Sequence, residues 1–160
     1  MYQHVMALLD GSKLGICVLT HLDAMAEKNL IQKATLVTVE EAFHIPGGLE
    51  YRLDSDERKR LEERGLERSR EYLDTVAKRL NYEGTVVETE DLQGGIASEL
   101  VDFAKTNAVD LIIVSTHGRS SLGPSFWGRV RRLHWWSMID HLLRHCGVPV
   151  LLVRPPDVKW

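Results

Sequence analysis

The sequence predicts an open, doubly wound α/β fold: a mainly parallel sheet with helices on both faces. Two observations carry this. Five short apolar or β-branched runs alternate with segments whose apolar residues recur every three or four positions, which is the pattern of successive βαβ crossovers. The runs at His4–Leu9, Asp110–Ser115 and Pro149–Val153 are also nearly continuous in apolar character, as strands buried on both faces are. At 160 residues and 18.2 kDa the chain has the length of one such domain, and the expectation is a single domain spanning 1–160.

The elements follow in order. His4–Leu9 (HVMALL) reads as a buried strand ending at the turn Asp10-Gly11-Ser12. Leu14, Cys17, Val18, Leu22, Met25 and Ala26 then mark one face of a helix reaching about Asn29. Ala34–Val39 (ATLVTV) is rich in β-branched residues and reads as a second strand. His44–Tyr51 contains Pro46-Gly47-Gly48 and reads as a loop. From about Asp54 to Leu80 a dense charge run carries the stripe Leu61, Gly65, Ser69, Leu73, Val76 and Leu80, a solvated helix with one buried face. Thr85–Thr89 is a short strand, Gly94-Gly95 a break, and Ile96–Ala104 a helix. Asp110–Ser115 (DLIIVS) is the most hydrophobic strand and runs into Thr116-His117-Gly118. Ser137–His145 reads as a helix and Pro149–Val153 as the last strand.

Composition excludes several classes. Hydrophobic residues make up 44% and charged residues 27%, which is globular rather than disordered or collagenous. No apolar run approaches the roughly 20 residues of a membrane span. The N-terminus lacks the basic and long apolar regions of a signal peptide, so the expected location is the cytoplasm. Cys17 and Cys146 form no CxxC and read as free thiols. The seven histidines form no HExxH, so no metal site built from protein side chains is expected. The net charge of −3 is uneven. Leu111–Trp160 holds seven Lys/Arg against two Asp/Glu, or +5, which leaves −8 on the first 110 residues. A near-neutral total argues against a DNA-binding protein, but the acid-free stretch from Leu111 to Ile139 suits an anion.

Ligands of open parallel sheets sit outside the carboxyl ends of the strands, where strand order reverses. The candidates are Leu9-Asp10 after the first strand, Val39 after the second and Val114-Ser115 with the following turn after the fourth. A glycine and small hydroxyl residues at a strand end let backbone N–H groups approach phosphate oxygens. Arg119 adds charge there. No GxxxxGK[ST], GxSxG or GxGxxG occurs, so P-loop, esterase and dinucleotide-dehydrogenase readings fail.

The combination of VMALLDGS (Val5–Ser12), DLIIVSTHGRSS (Asp110–Ser121) and LLRHCGVPVLLVRP (Leu142–Pro155) resembles the universal stress protein family, within the adenine nucleotide α-hydrolase-like superfamily. The resemblance covers Val5 to Pro155. It implies five parallel strands in the order 3-2-1-4-5 and a homodimer, often paired through the last strand, here Pro149–Val153. One branch binds ATP through G-x2-G-x9-G-[S/T]; another lacks the motif. Carried onto this chain, the motif falls on Ser115, Gly118, Gly128 and Arg129, two matches and two departures. Alignment from Pro149 backward instead puts the final pair on Trp136 and Ser137, so about eight residues are inserted around 129–136.

The cofactor-binding residues implied are Leu9, Asp10 and Val39, then Val114, Ser115, His117, Gly118 and Arg119, and finally Gly128, Arg129, Val130 and Ser137. Asp10 would lie beside adenine and ribose, and the backbone after Val39 would read the adenine edge. The implied ligand is ATP, or AMP or ADP, with Mg²⁺ or Mn²⁺ carried on the nucleotide. No catalytic residue is assigned, because His117 has no nucleophile–base–carboxylate set beside it.

Phe126–Trp136 holds four aromatics and three arginines, including three of the four tryptophans. This insertion reads as a lid over the nucleotide, a partner surface, an interfacial membrane element or a segment packed on the sheet or dimer partner. Two functions follow. One is an adenine-nucleotide-binding stress-response module that senses or signals with little or no turnover. The other is a dimeric scaffold that has lost ATP binding and offers the insertion to an unidentified regulatory protein.

Overall fold

The computed structural model describes residues 1–12, 14–41, 54–80, 82–94, 96–116 and 126–156. The strands are β1 (Tyr2–Leu8), β2 (Ile31–Glu41), β3 (Val86–Gly94), β4 (Leu111–Ser115) and β5 (Val150–Val153). They form one sheet in the order β3-β2-β1-β4-β5, and every pair is parallel. The helices are α1 (Val18–Glu27), α2 (Ser55–Ala77), α3 (Ile96–Thr106) and α4 (Phe126–His145), with a 3₁₀ turn at Gly15–Cys17 before α1.

The two core layers follow from the period-2 alternation of β-strand side chains. Val5, Ala7 and Leu9 pack on one face with Leu22 of α1 and Leu73 and Val76 of α2. Met6 and Leu8, with Ile112 and Val114 of β4, pack on the other against Leu100 of α3 and Ile139 and Leu142 of α4. The apolar runs are continuous because both faces are covered. Each fully buried Leu or Ile contributes about 1.5–3 kcal/mol, so the central pair β1 and β4 anchors the fold.

Helix α2 starts where its sequence says it should. Asp54 Oδ1 accepts from the Glu57 amide at 2.7 Å, and the Glu57 carboxylate accepts from the Asp54 amide at 3.3 Å. This capping box satisfies two backbone donors that the first turn leaves open.

Four elements differ from the sequence expectation. Strands β2 and β3 run to Glu41 and Gly94 rather than ending at Val39 and Thr89, with Thr38↔Asp91 through Glu41↔Gly94 in register. Their polar ends need only each other as hydrogen-bond partners, so the ladder outlasts the apolar pattern. Cys17, expected inside a helix, lies in the 3₁₀ turn. Helix α4 begins at Phe126, eleven residues before Ser137. The Trp/Arg-rich segment expected as an insertion is the first half of that helix. No proline lies between Phe126 and His145, so nothing in the backbone stops the helix there.

Candidate functional site

Strand β1 ends at Leu8, level with Val114 of β4 and Val37 of β2. Strand β2 continues four residues past that level, or about 13 Å. β1 and β4 therefore end short beside a taller β2–β3 wall. The strand order also reverses between β1 and β4, so a crevice opens at the switch point.

The first side of this crevice is a local hydrogen-bonded turn. Half-buried Asp10 accepts at Oδ1 from the Ser12 amide (3.0 Å) and the Ser12 hydroxyl (2.7 Å). The Ser12 hydroxyl in turn accepts from the Gly15 amide at 3.0 Å. Gly11 turns the chain with φ +74°, a conformation that suits glycine. Gly15 serves a different purpose: a Cβ there would run into Asp10 Oδ1. Its missing side chain makes room for the carboxylate.

The second side is built around Ser115, which is fully buried. Its hydroxyl accepts from Cys17 Sγ at 3.6 Å, and its carbonyl accepts from Trp135 Nε1 at 2.8 Å. Burial pushes the Cys17 thiol up, a hydrogen bond to Ser115 opposes this, and the Asp10 charge reinforces it. Cys17 is thus held as a neutral thiol, with low nucleophilicity. Both cysteines are free; Cys146 is buried and donates to the Val148 carbonyl at 3.4 Å.

The sequence-derived site residues separate into groups. Asp10, Val114 and Ser115 come together at the short strand ends, with Leu9 beside them. The Leu9 and Val114 side chains are buried in opposite core layers, so each can offer a ligand only backbone. Val39 lies in the extended part of β2. Gly128, Arg129 and Val130 lie in the first turns of α4, where the first four N–H groups of a helix lack intrahelical partners. Ser137 is exposed and two residues, or about 200° around the helix, from Trp135. His117, Gly118 and Arg119 lie outside the described residues.

Gly15, Cys17 and Trp135 were not singled out as site residues by the sequence. An isolated glycine within a helical pattern was the available signal for Gly15. Nothing local distinguishes Trp135 from Trp136, of which Trp135 alone is bonded to Ser115.

A groove of about 520 Å³ lies at the opposite, amino end of the sheet, lined by Ala26, Glu27, Asn29, Tyr82, Glu83 and Gly84. Tyr82 there donates a short hydrogen bond to Asp23. This open depression lacks a strand-end turn, and the chemistry of a switch-point crevice favours the carboxyl end despite the groove's size. Among the described residues no group of three or more His, Cys, Asp or Glu could hold a metal ion. Among them, too, no helix is long and apolar enough to cross a membrane.

Comparison with known proteins bears on the family and the fold. The model of the universal stress protein family matches residues 1–154. The universal stress protein MJ0531 of Methanocaldococcus jannaschii is 31% identical over 90 residues, which cover 56% of this chain and 48% of that protein; the match thus spans about half the length of this relative. Among solved structures, hypothetical protein MJ0577 matches with a TM-score of 0.74 at 22% identity over 99% of each chain. A universal stress protein family protein from Arabidopsis thaliana with AMP bound matches with a TM-score of 0.62 at 12% identity, over 97% of this chain and 93% of that one. At these identities the structures speak for the fold, and the family match over 1–154 decides membership: the chain belongs to the universal stress protein family.

Proposed function

We propose that this chain binds an adenine nucleotide in the crevice above β1 and β4 and works as a sensing or signalling module of the stress response, with little or no turnover. The observation that carries this reading is the Asp10 turn. A carboxylate stands at the switch point, held by Ser12 and accommodated by Gly15. Asp10 suits ribose hydroxyls or the adenine amino group, all hydrogen-bond donors. The Arabidopsis relative with AMP bound shares the fold. Phosphates would meet the open amides at the start of α4, up to Gly128, with the helix dipole favouring negative charge. The ligand of choice is ATP, with AMP or ADP as lesser forms. Mg²⁺ or Mn²⁺ would travel on the phosphates, because the described residues offer no carboxylate cage for it.

The protein works as a homodimer joined along β5 in this reading. β5 is an edge strand with Leu152 exposed, and unpaired edges invite pairing with another chain. A monomeric mass by sedimentation would refute the dimer.

A second reading is favoured by one observation. The segment aligned with the end of the phosphate motif is helical rather than a glycine loop. A scaffold that no longer binds ATP would show this, with exposed Trp136 and Leu143 of α4 available to a protein partner.

Calorimetric titration with ATP, ADP and AMP in the presence of Mg²⁺ separates the two. Saturable binding is expected, weakened about tenfold or more by Gly15→Ala, which drives the Asp10 carboxylate from its seat and breaks its hydrogen bonds. The absence of bound nucleotide at millimolar ATP overturns the nucleotide reading and leaves the scaffold.

A further inference from the structure

We propose that Trp135 is a positioning residue for the phosphate part of the ligand, acting by pinning α4 to the end of β4. This rests on the nucleotide reading above. The indole N–H of Trp135 donates to the Ser115 carbonyl at 2.8 Å, and the Ser115 hydroxyl accepts from Cys17 at the start of α1. One fully buried residue at the end of β4 therefore ties together the elements on both sides of the crevice.

The placement of this bond along α4 gives it a specific consequence. Trp135 is the tenth of twenty helical residues. The half that follows is held by Met138, Ile139 and Leu142, which are 5%, 1% and 0% exposed. That half needs no indole hydrogen bond to stay docked on the sheet. The nine residues that precede Trp135 span about 14 Å of helix. They lie past the level of Ser115, because α4 descends from the carboxyl end of β4 toward the start of β5. This first half carries Arg129, Arg131 and Arg132. The Trp135–Ser115 bond therefore fixes the height and rotation at which a segment with three arginines leaves the sheet.

Arginines help a phosphate only when their position is set, since their strength lies in directed hydrogen bonds. A one-turn slip or a rotation about the helix axis would keep the net charge and lose the geometry. The Asp10 turn is joined to Trp135 at second hand, through Ser115, Cys17 and the Gly15–Ser12 bond, whereas the first half of α4 continues directly from Trp135. Loss of the indole N–H is thus expected to reach the phosphates and spare the nucleoside.

The test compares full-length wild type with Trp135→Phe, which keeps an aromatic ring and removes the donor. Binding of ATP and of adenosine is measured by calorimetry, and amide hydrogen exchange across residues 126–134 by mass spectrometry. ATP binding is expected to weaken about five- to tenfold, the worth of one hydrogen bond, with adenosine unchanged and exchange at 126–134 faster. Equal loss of ATP and adenosine binding would make Trp135 a general structural residue and overturn the proposal. So would unchanged ATP binding. Should wild type bind neither ligand, the nucleotide reading itself fails. The pinning of α4 is then decided by exchange alone: faster exchange at 126–134 with an unchanged melting temperature supports it, and equal exchange in the two proteins overturns it.

Discussion

The two ends of the central strands β1 and β4 carry similar residues and use them in opposite ways. At the amino end, Asp110 accepts from the amides of Gln3 (2.7 Å) and His4 (3.1 Å), partners more than 100 residues away in sequence. His4 is buried, with Nδ1 bonded to the Asn107 carbonyl at 2.9 Å and Nε2 to the Thr35 hydroxyl at 2.7 Å. A carbonyl only accepts, so Nδ1 donates to it, and Nε2 shares its hydrogen bond with the Thr35 hydroxyl. Both nitrogens are spent on the fold. At the carboxyl end, Asp10 bonds to its own turn, two residues on. Long-range bonds hold three strands in register, whereas a local turn shapes one loop. The amino end is thus built for stability and the carboxyl end for presenting groups to a ligand.

The sharpest way to break this contrast is His4→Ala. It leaves a cavity and takes a partner from the buried Thr35 hydroxyl and from the Asn107 carbonyl, so the cost is expected at about 2–4 kcal/mol in urea unfolding. A cost under about 1 kcal/mol would mean that the amino end is not the structural one. The paired variants Asp110→Asn and Asp10→Asn sharpen the comparison. The first is expected to cost about 1–2 kcal/mol by weakening two charge-assisted bonds between strands, and the second about 0.5 kcal/mol or less. Equal costs in thermal melts would erase the distinction.

The smallest effect concerns pH. Burial first, and the hydrogen bond to Asp23 next, push the Tyr82 phenol well above its ordinary value. The Cys17 thiol is also raised. For a group raised on folding, the folded state holds its proton longer than the unfolded chain does. Its stabilisation is then complete below the unfolded value and lost as pH rises above it. The urea midpoint is expected to hold through neutral pH and to fall above about pH 9, first through Cys17 and then, above about pH 10, through Tyr82. Tyr82→Phe should remove the later part of that fall. An unchanged alkaline profile in this variant would assign the loss elsewhere.

The same contrast explains which parts were legible in the sequence. The strands β1, β4 and β5 and the helices α1 to α3 are local patterns of period, and the residues announce them directly. Asp10 was legible because a strand followed by Asp-Gly-Ser marks a strand end. The far ends of β2 and β3 were hidden, because pairing between neighbouring strands continued after the apolar signal stopped. The start of α4 was hidden as well, since Gly128, Val130 and the arginines give no strong helical stripe. Trp135 and Gly15 matter through contact with Ser115 and Asp10, and contact across the fold leaves no mark on local periodicity.

The order of elements, the two-faced core, the family and the acidic group at the end of β1 are written in the chain itself, because each depends on residue type at fixed spacing. The level at which β1 and β4 stop beneath the β2–β3 wall was decided in three dimensions. So was the joining of Ser115 to both Cys17 and Trp135. Those bonds lie 98 and 20 residues apart in sequence, and only the packing of α1 and α4 on the sheet brings their atoms within reach.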